Sequence, residues 1–345
     1  MGTPPLQLGA SDLGYATGVG SLPGTDPREA AAIVLGELPA LAHLPELPAR
    51  GPGADMVGRA AGLLVDVHVD LQPSGWRVVA RPGADERRAS SYLSQDLDAL
   101  EEAAEGYASP LKVQVAGPWT LLAALQLPRG EPVLSDPAAR RDVVTSLTEG
   151  VAAHVQDVRR RVPGARVLLQ LDEPSLPTVL AGRVRSMSGL RAFPPPPDAE
   201  AESVLREVME AAGVPVIVHS CAAAPPVALL RGAGAGAVSL DLSLLGEARE
   251  EELAEALEAG LTLLAGIVHP VSGSLSDPTA SVEPVRRLWR RLGLPLEQLA
   301  GTAQDASSVV VTPTCGLAGA SPQHALAVLR HCRAAASALA DDPEG

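Results

Sequence analysis

Short, near-continuous apolar runs alternate with alanine- and leucine-rich stretches of helical period along this chain. No other feature constrains the fold as much. The runs fall at residues 15–21, 41–47, 111–116, 167–171, 214–219, 237–242, 261–268 and 308–312. They are apolar without alternation, as parallel strands covered on both faces must be. Helical patterns lie between them at 27–38, 94–106, 136–161, 200–212, 224–232, 247–260 and 282–292. Asp136-Pro137 starts the third of these, and Pro163-Gly164 ends it. Eight such repeats predict an α/β fold of the TIM (β/α)8 barrel class.

Two segments depart from the repeat. Residues 65–81 hold two strand-like runs around Pro73-Ser74-Gly75 and predict a β-hairpin inserted after strand 2. Residues 194–197 are four prolines and predict a rigid loop. No repeat or long linker interrupts the 345 residues, so one domain spanning 1–345 is expected. Its core covers about 15–335, and the tail 341–345 is expected to fray.

Composition removes several function classes. Hydrophobic residues make up 46% of the chain, enough for a large core. Aromatics are only 2%, which denies single-stranded nucleic acid its stacking platforms. A net charge of -14 opposes binding to a phosphate backbone, so no nucleic-acid partner is expected. No run of about 18 apolar residues exists to span a membrane, and residues 1–6 do not resemble a signal peptide. Three cysteines in a long chain give no disulfide framework. The expectation is a cytoplasmic, thiol-reducing setting, where a cysteine serves more readily as ligand or nucleophile.

In a (β/α)8 barrel the chemistry gathers at the C-terminal ends of the strands. There the sequence places Gly20-Ser21, Gly117-Pro118, Asp172-Glu173-Pro174, His219-Ser220-Cys221, Asp241, His269-Pro270 and Cys315-Gly316. His219 and Cys221 stand at i and i+2 of one strand and so share a face. With Cys315 and Asp241 they make a plausible zinc shell of two thiolates, one imidazole and one carboxylate. Asp241 has the alternative role of capping the next helix. Asp172 and Glu173 follow an apolar run, where carboxylates are costly unless paired or used, and are candidates to bind an ammonium group or to organise Arg183. Ser21 is a candidate contact for a substrate carboxylate, and His269 a candidate general acid. Cys332, His68, His154, His324 and His331 read as packing or surface residues.

Two thiolates blunt the Lewis acidity of zinc, which disfavours water activation and suits the binding of a substrate thiol. A free thiol has a pKa of about 8.5, and coordination removes its proton. The resulting thiolate can attack an alkyl carbon at neutral pH. The shell therefore predicts S-alkylation of a small thiol, with methyl transfer the leading case. A general acid is needed if the leaving group departs as an amine.

Taken together, Gly20-Ser21-Leu22-Pro23, Asp55-Met56-Val57, Gly75-Trp76, Gly117-Pro118-Trp119-Thr120, Gln170-Leu171-Asp172-Glu173-Pro174, His219-Ser220-Cys221, Val238-Ser239-Leu240-Asp241 and Pro313-Thr314-Cys315-Gly316 resemble the catalytic half of cobalamin-independent methionine synthase. The resemblance covers roughly 15–335. It implies a TIM barrel, zinc on His219, Cys221 and Cys315, and homocysteine as methyl acceptor. It further implies Asp172 at the homocysteine amino group, Ser21 along the amino acid and His269 as proton donor. The departures concern the other ligands. Asp241 stands where the family has a glutamate ligand, and Gly58 replaces a glutamate that helps hold the amino acid. Ala124 falls where a tryptophan lines the folate site, and Thr178 where the family has a glutamate. The folate-assisting N-terminal half of the long enzyme has no counterpart here. The methyl donor is accordingly either methyltetrahydrofolate, as for a 5-methyltetrahydropteroyltriglutamate-homocysteine S-methyltransferase, or a methylcorrinoid protein. Two competing readings are a metal-free lyase like uroporphyrinogen decarboxylase and a non-catalytic relative that keeps zinc for stability.

Overall fold

The computed structural model describes residues 6, 8, 14–271, 275–300 and 309–345. Residues 1–5, and Ser308 of the last apolar run, lie outside them. Seven parallel strands form one curled sheet: β1 (Ala42–His43), β4 (Pro110–Ala116), β5 (Arg166–Asp172), β6 (Val216–Ser220), β7 (Ala237–Asp241), β8 (Thr262–Val268) and β9 (Val309–Pro313). They are hydrogen-bonded in that order. The remaining strands, β2 (His68–Gln72) and β3 (Gly75–Val79), pair antiparallel as a separate two-stranded ribbon. The architecture is consistent with a TIM-like barrel.

The first apolar run does not form a named strand. It touches both edges of the sheet instead. Val311 N donates to Tyr15 O and Thr17 N to Val311 O on the β9 side. Glu46 N donates to Gly20 O and Leu22 N to Glu46 O on the β1 side. Only two residues of the weak run 41–47 join the ladder.

Helices cover the convex face: α1 (Pro27–Glu37), α2 (Met56–Ala61), α3 (Ala84–Ala103), α4 (Pro118–Ala124), α5 (Pro137–Arg161), α6 (Leu176–Leu180), α7 (Asp198–Ala212), α8 (Val227–Gly232), α9 (Glu250–Glu258), α10 (Pro278–Ser281), α11 (Glu283–Leu292), α12 (Glu297–Ala300) and α13 (Pro322–Asp341). Helix α3 starts ten residues before the expected 94, because Asp85 and Glu86 suit a first turn and no breaker follows. The short helices α2, α4 and α6 escape the periodicity reading, since one or two turns show no clear period. Among the described residues, no helix is long and apolar enough to cross a membrane.

Alternate residues of each strand face opposite sides. Leu169, Leu171, Val216, Val218, Leu263 and Val311 pack outward into the large core under the helices. Leu168, Ile217, Ala237, Leu264 and Val310 point to the concave side, where they form a smaller cluster with Tyr15 and Leu41. One or two pleats further along β5, β6 and β7 the concave side turns polar, with Gln170, Asp172, His219 and Ser239 buried, and β4 adds buried Lys112, in register with Leu168, and Gln114, in register with Gln170.

Candidate metal centre

The strand ends bring His219, Cys221 and Cys315 together. Their ligand atoms all lie within 4.8 Å of one another. The two Sγ atoms are 3.7 Å apart. His219 Nδ1 lies 2.9 Å from Ser239 Oγ on the neighbouring strand. That contact fixes the ring and leaves Nε2 for a metal. Cys315 is pushed below the usual thiol range, first by a hydrogen bond with Cys221 and then by His219. Cys221 is pushed up by the same bond and by burial. A thiol held near its thiolate form beside an imidazole is a soft donor set that fits zinc.

Asp241 is not part of this group. Its Oδ1 accepts from Ser243 N at 2.9 Å and Ser243 Oγ at 2.6 Å, the local turn expected of an aspartate that ends a strand. His269 follows β8 and is exposed, with its Nδ1 3.5 Å from Val271 N. Ser21 bridges to Glu46 in the sheet, and its carbonyl accepts from Leu317 N. A Cβ at position 316 would strike Ser21 Oγ, so the glycine after Cys315 lets the first and last segments of the sheet close over one another.

The adjacent acids part company. Asp172 faces the concave side, 6% exposed, and accepts from Gln170 Nε2 at 2.7 Å. Burial raises its pKa, while His219 and Lys112 hold it down. Glu173 points the other way and is fully buried. Its carboxylate accepts from Trp119 N at 2.9 Å, Thr120 N at 2.8 Å and Thr120 Oγ at 2.7 Å, capping α4. Burial still pushes it up to about 7. The substrate-binding role expected of Glu173 therefore meets a carboxylate whose oxygens already serve a helix N-terminus. A Cβ at residue 117 would collide with the same carboxylate, so Glu173 needs a glycine at that position.

The sequence reading missed Glu46. It is buried, 3.4 Å from Gln114 Nε2 and 3.7 Å from Arg59 Nε. Burial raises it to about 7, opposed by Arg59 and reinforced by the charge of Asp172. Arg59 in turn pairs with Asp96, which also binds Arg50 at 2.6 Å. In the sequence Glu46 is a lone acid in the run Leu41-Ala42-His43-Leu44-Pro45-Glu46-Leu47. Two buried carboxylates in electrostatic contact beside a thiol cluster can hold a cationic group between them.

A family model described as the cobalamin-independent synthase catalytic domain matches residues 15–338. No curated protein matches the chain. Among solved structures, a B12-independent methionine synthase from Shewanella sp. W3-18-1 in complex with selenomethionine aligns with a TM-score of 0.63 at 13% identity, covering 93% of this chain and 96% of that one. That likeness is one of fold. A morphinone reductase mutant in complex with tetrahydroNAD aligns more loosely, with a TM-score of 0.41 at 12% identity over 90% and 81% of the two chains.

Proposed function

The chain belongs to the cobalamin-independent methionine synthase family, matched over 15–338, and from that premise we propose that it is a zinc-dependent S-methyltransferase acting on homocysteine. The observation that carries this reading is the convergence of His219, Cys221 and Cys315 within 4.8 Å. We read three protein ligands and a fourth position left for the substrate thiol, with Asp241 turned to Ser243. Zinc bound there supplies Lewis acidity that lowers the pKa of a substrate thiol from about 8.5.

The chain's own residues orient and hold charge. Ser239 keeps the His219 ring in place. Asp172 and Glu46 accept the substrate ammonium from the buried side, and Ser21 lies along the amino acid. His269 stands at the rim, where a proton can pass to a leaving amine. Glu173 orders α4 beneath the site. The selenomethionine bound to the Shewanella enzyme supports an amino-acid substrate of this size. The donor is methyltetrahydrofolate or a methylcorrinoid protein. The continuous family match and the contacts of residues 15–22 with both sheet edges support a single (β/α)8 domain, with the ribbon β2–β3 as its insertion.

Metal analysis tests the reading. Purified protein should carry about one zinc per chain, lost in Cys315→Ala. Cobalt-substituted protein should gain thiolate-to-cobalt absorption as homocysteine is added. Metal without that response would leave a structural site, and no metal would sink the proposal.

A further inference from the structure

The concave side also holds a device that the metal chemistry does not explain. Lys112 is the only lysine in the chain and is fully buried on β4, beside the edge strand β1. Its ammonium donates to Val19 O at 2.8 Å, Gln170 Oε1 at 2.7 Å and Gln114 Oε1 at 3.3 Å. All three donors are therefore directed at neutral acceptors, two of them glutamine amides.

Each amide then continues to a carboxylate. Gln170 Nε2 donates to Asp172 Oδ1 at 2.7 Å and to Val19 O at 2.9 Å. Gln114 Nε2 donates to Leu44 O at 2.8 Å and approaches Glu46 Oε1 at 3.4 Å. Chemistry sets both amide orientations. Burial lowers Lys112 to about 7, opposed by Asp172 and Glu46; with the lysine protonated and the acids ionised, a flipped glutamine would turn its NH2 toward an ammonium that has no acceptor, and its carbonyl toward a carboxylate that has no donor. Both glutamines are buried, so no water can relieve such a mismatch.

We propose that Lys112 is a positioning residue that, through Gln170 and Gln114, fixes Asp172 and Glu46 as paired acceptors for the ammonium group of the amino-acid substrate. The inference rests on the homocysteine reading and deepens it. One buried cation orients two amides, and each amide presents an N–H to one acid from below. That leaves the other carboxylate oxygens for a ligand above. The branches differ in tightness: the Gln170 branch is 2.7 Å at both steps, whereas the Gln114 branch is 3.3 and 3.4 Å. Asp172 should therefore depend on Lys112 more than Glu46 does. An arginine cannot replace the lysine, because its planar fork of five donors does not match three convergent acceptors.

The test compares two thiols in cobalt-substituted protein: homocysteine, and 4-mercaptobutanoate, which lacks only the amino group. Wild type should prefer homocysteine. In Lys112→Met that preference should fall about tenfold or more, the scale of a lost charge-assisted hydrogen bond, with metal content and the response to 4-mercaptobutanoate retained. Gln170→Glu, which keeps an acceptor for Lys112 but removes the donor to Asp172, should reproduce the loss if Lys112→Met fails to fold. Gln114→Glu should do so more weakly. An unchanged preference in Lys112→Met and Gln170→Glu, or equal losses for both thiols, would overturn the relay and leave a structural lysine. A wild-type protein that binds metal but shows no preference for the amine, or no thiol response, would overturn the homocysteine reading and the relay with it.

Discussion

The lower and upper layers of the concave side are built from the same strands and do opposite things. On β5, Leu168 lies in the lower layer, and Gln170 and Asp172 follow it at two-residue steps. On β6, Ile217 gives way to His219 in the same manner. The lower layer is a cluster of Leu, Ile, Val and Ala with Tyr15, whose hydroxyl donates to Leu8 O, and otherwise needs only shape. The upper layer buries a lysine, two glutamines, two carboxylates and a histidine, each of which needs a partner. The lower layer has many equivalent solutions, since any well-packed set of apolar side chains would serve. The upper layer has few, because each polar atom fixes the next. Fold and site are thus separable along a single strand.

The separation can be broken deliberately, and the expected effects fall in order. Removing a thiol should have the largest. Cys221→Ala should lose bound metal, as Cys315→Ala should, and abolish thiol alkylation, while leaving the unfolding midpoint of the metal-free protein nearly unchanged. Metal analysis beside chemical denaturation reads both. A lower-layer truncation should do the reverse. Leu168→Ala should cost about 2–5 kcal/mol in urea unfolding and leave metal stoichiometry intact. A change that also emptied the metal site would show that the layers are coupled.

A smaller effect should come from Glu46. Burial raises its folded pKa to about 7 from an ordinary 4.5. Its favourable contribution is therefore fully present below about pH 4.5 and is lost as pH rises through about 7. Glu46→Gln cannot titrate. The stability of wild type relative to this variant should accordingly fall by about 3 kcal/mol between pH 4.5 and 8. Denaturation curves at the two pH values decide it. The smallest effect is expected at Asp241, whose carboxylate serves Ser243. Asp241→Ala should cost about 1 kcal/mol and keep about one metal per chain. Loss of metal would make it the fourth ligand after all.

The upper layer was only partly legible in the sequence. His219, Cys221 and Cys315 could be found because cysteine and histidine at strand ends are rare enough to stand out. Glu46 and Lys112 could not, because a single charged residue in an apolar run looks the same whether it points to solvent or to a lumen. Glu173 was legible as functional in kind but not in object. Its neighbour Asp172 has the same chemistry, and only the direction of the side chain sends one acid to the site and the other to the cap of α4.

By itself, then, the sequence determined the alternation of the longer strands and helices, their apolar cores and the identity of the thiol-imidazole cluster. These follow from periodicity and residue type, which are local properties. Tertiary structure alone decided which buried acid faces which partner, that residues 15–22 contact both sheet edges, and that Lys112 stands between two glutamines from different strands. The physical reason is that these outcomes depend on sheet curl and inter-strand register, which bring together atoms from residues as far apart as Val19 and Gln170.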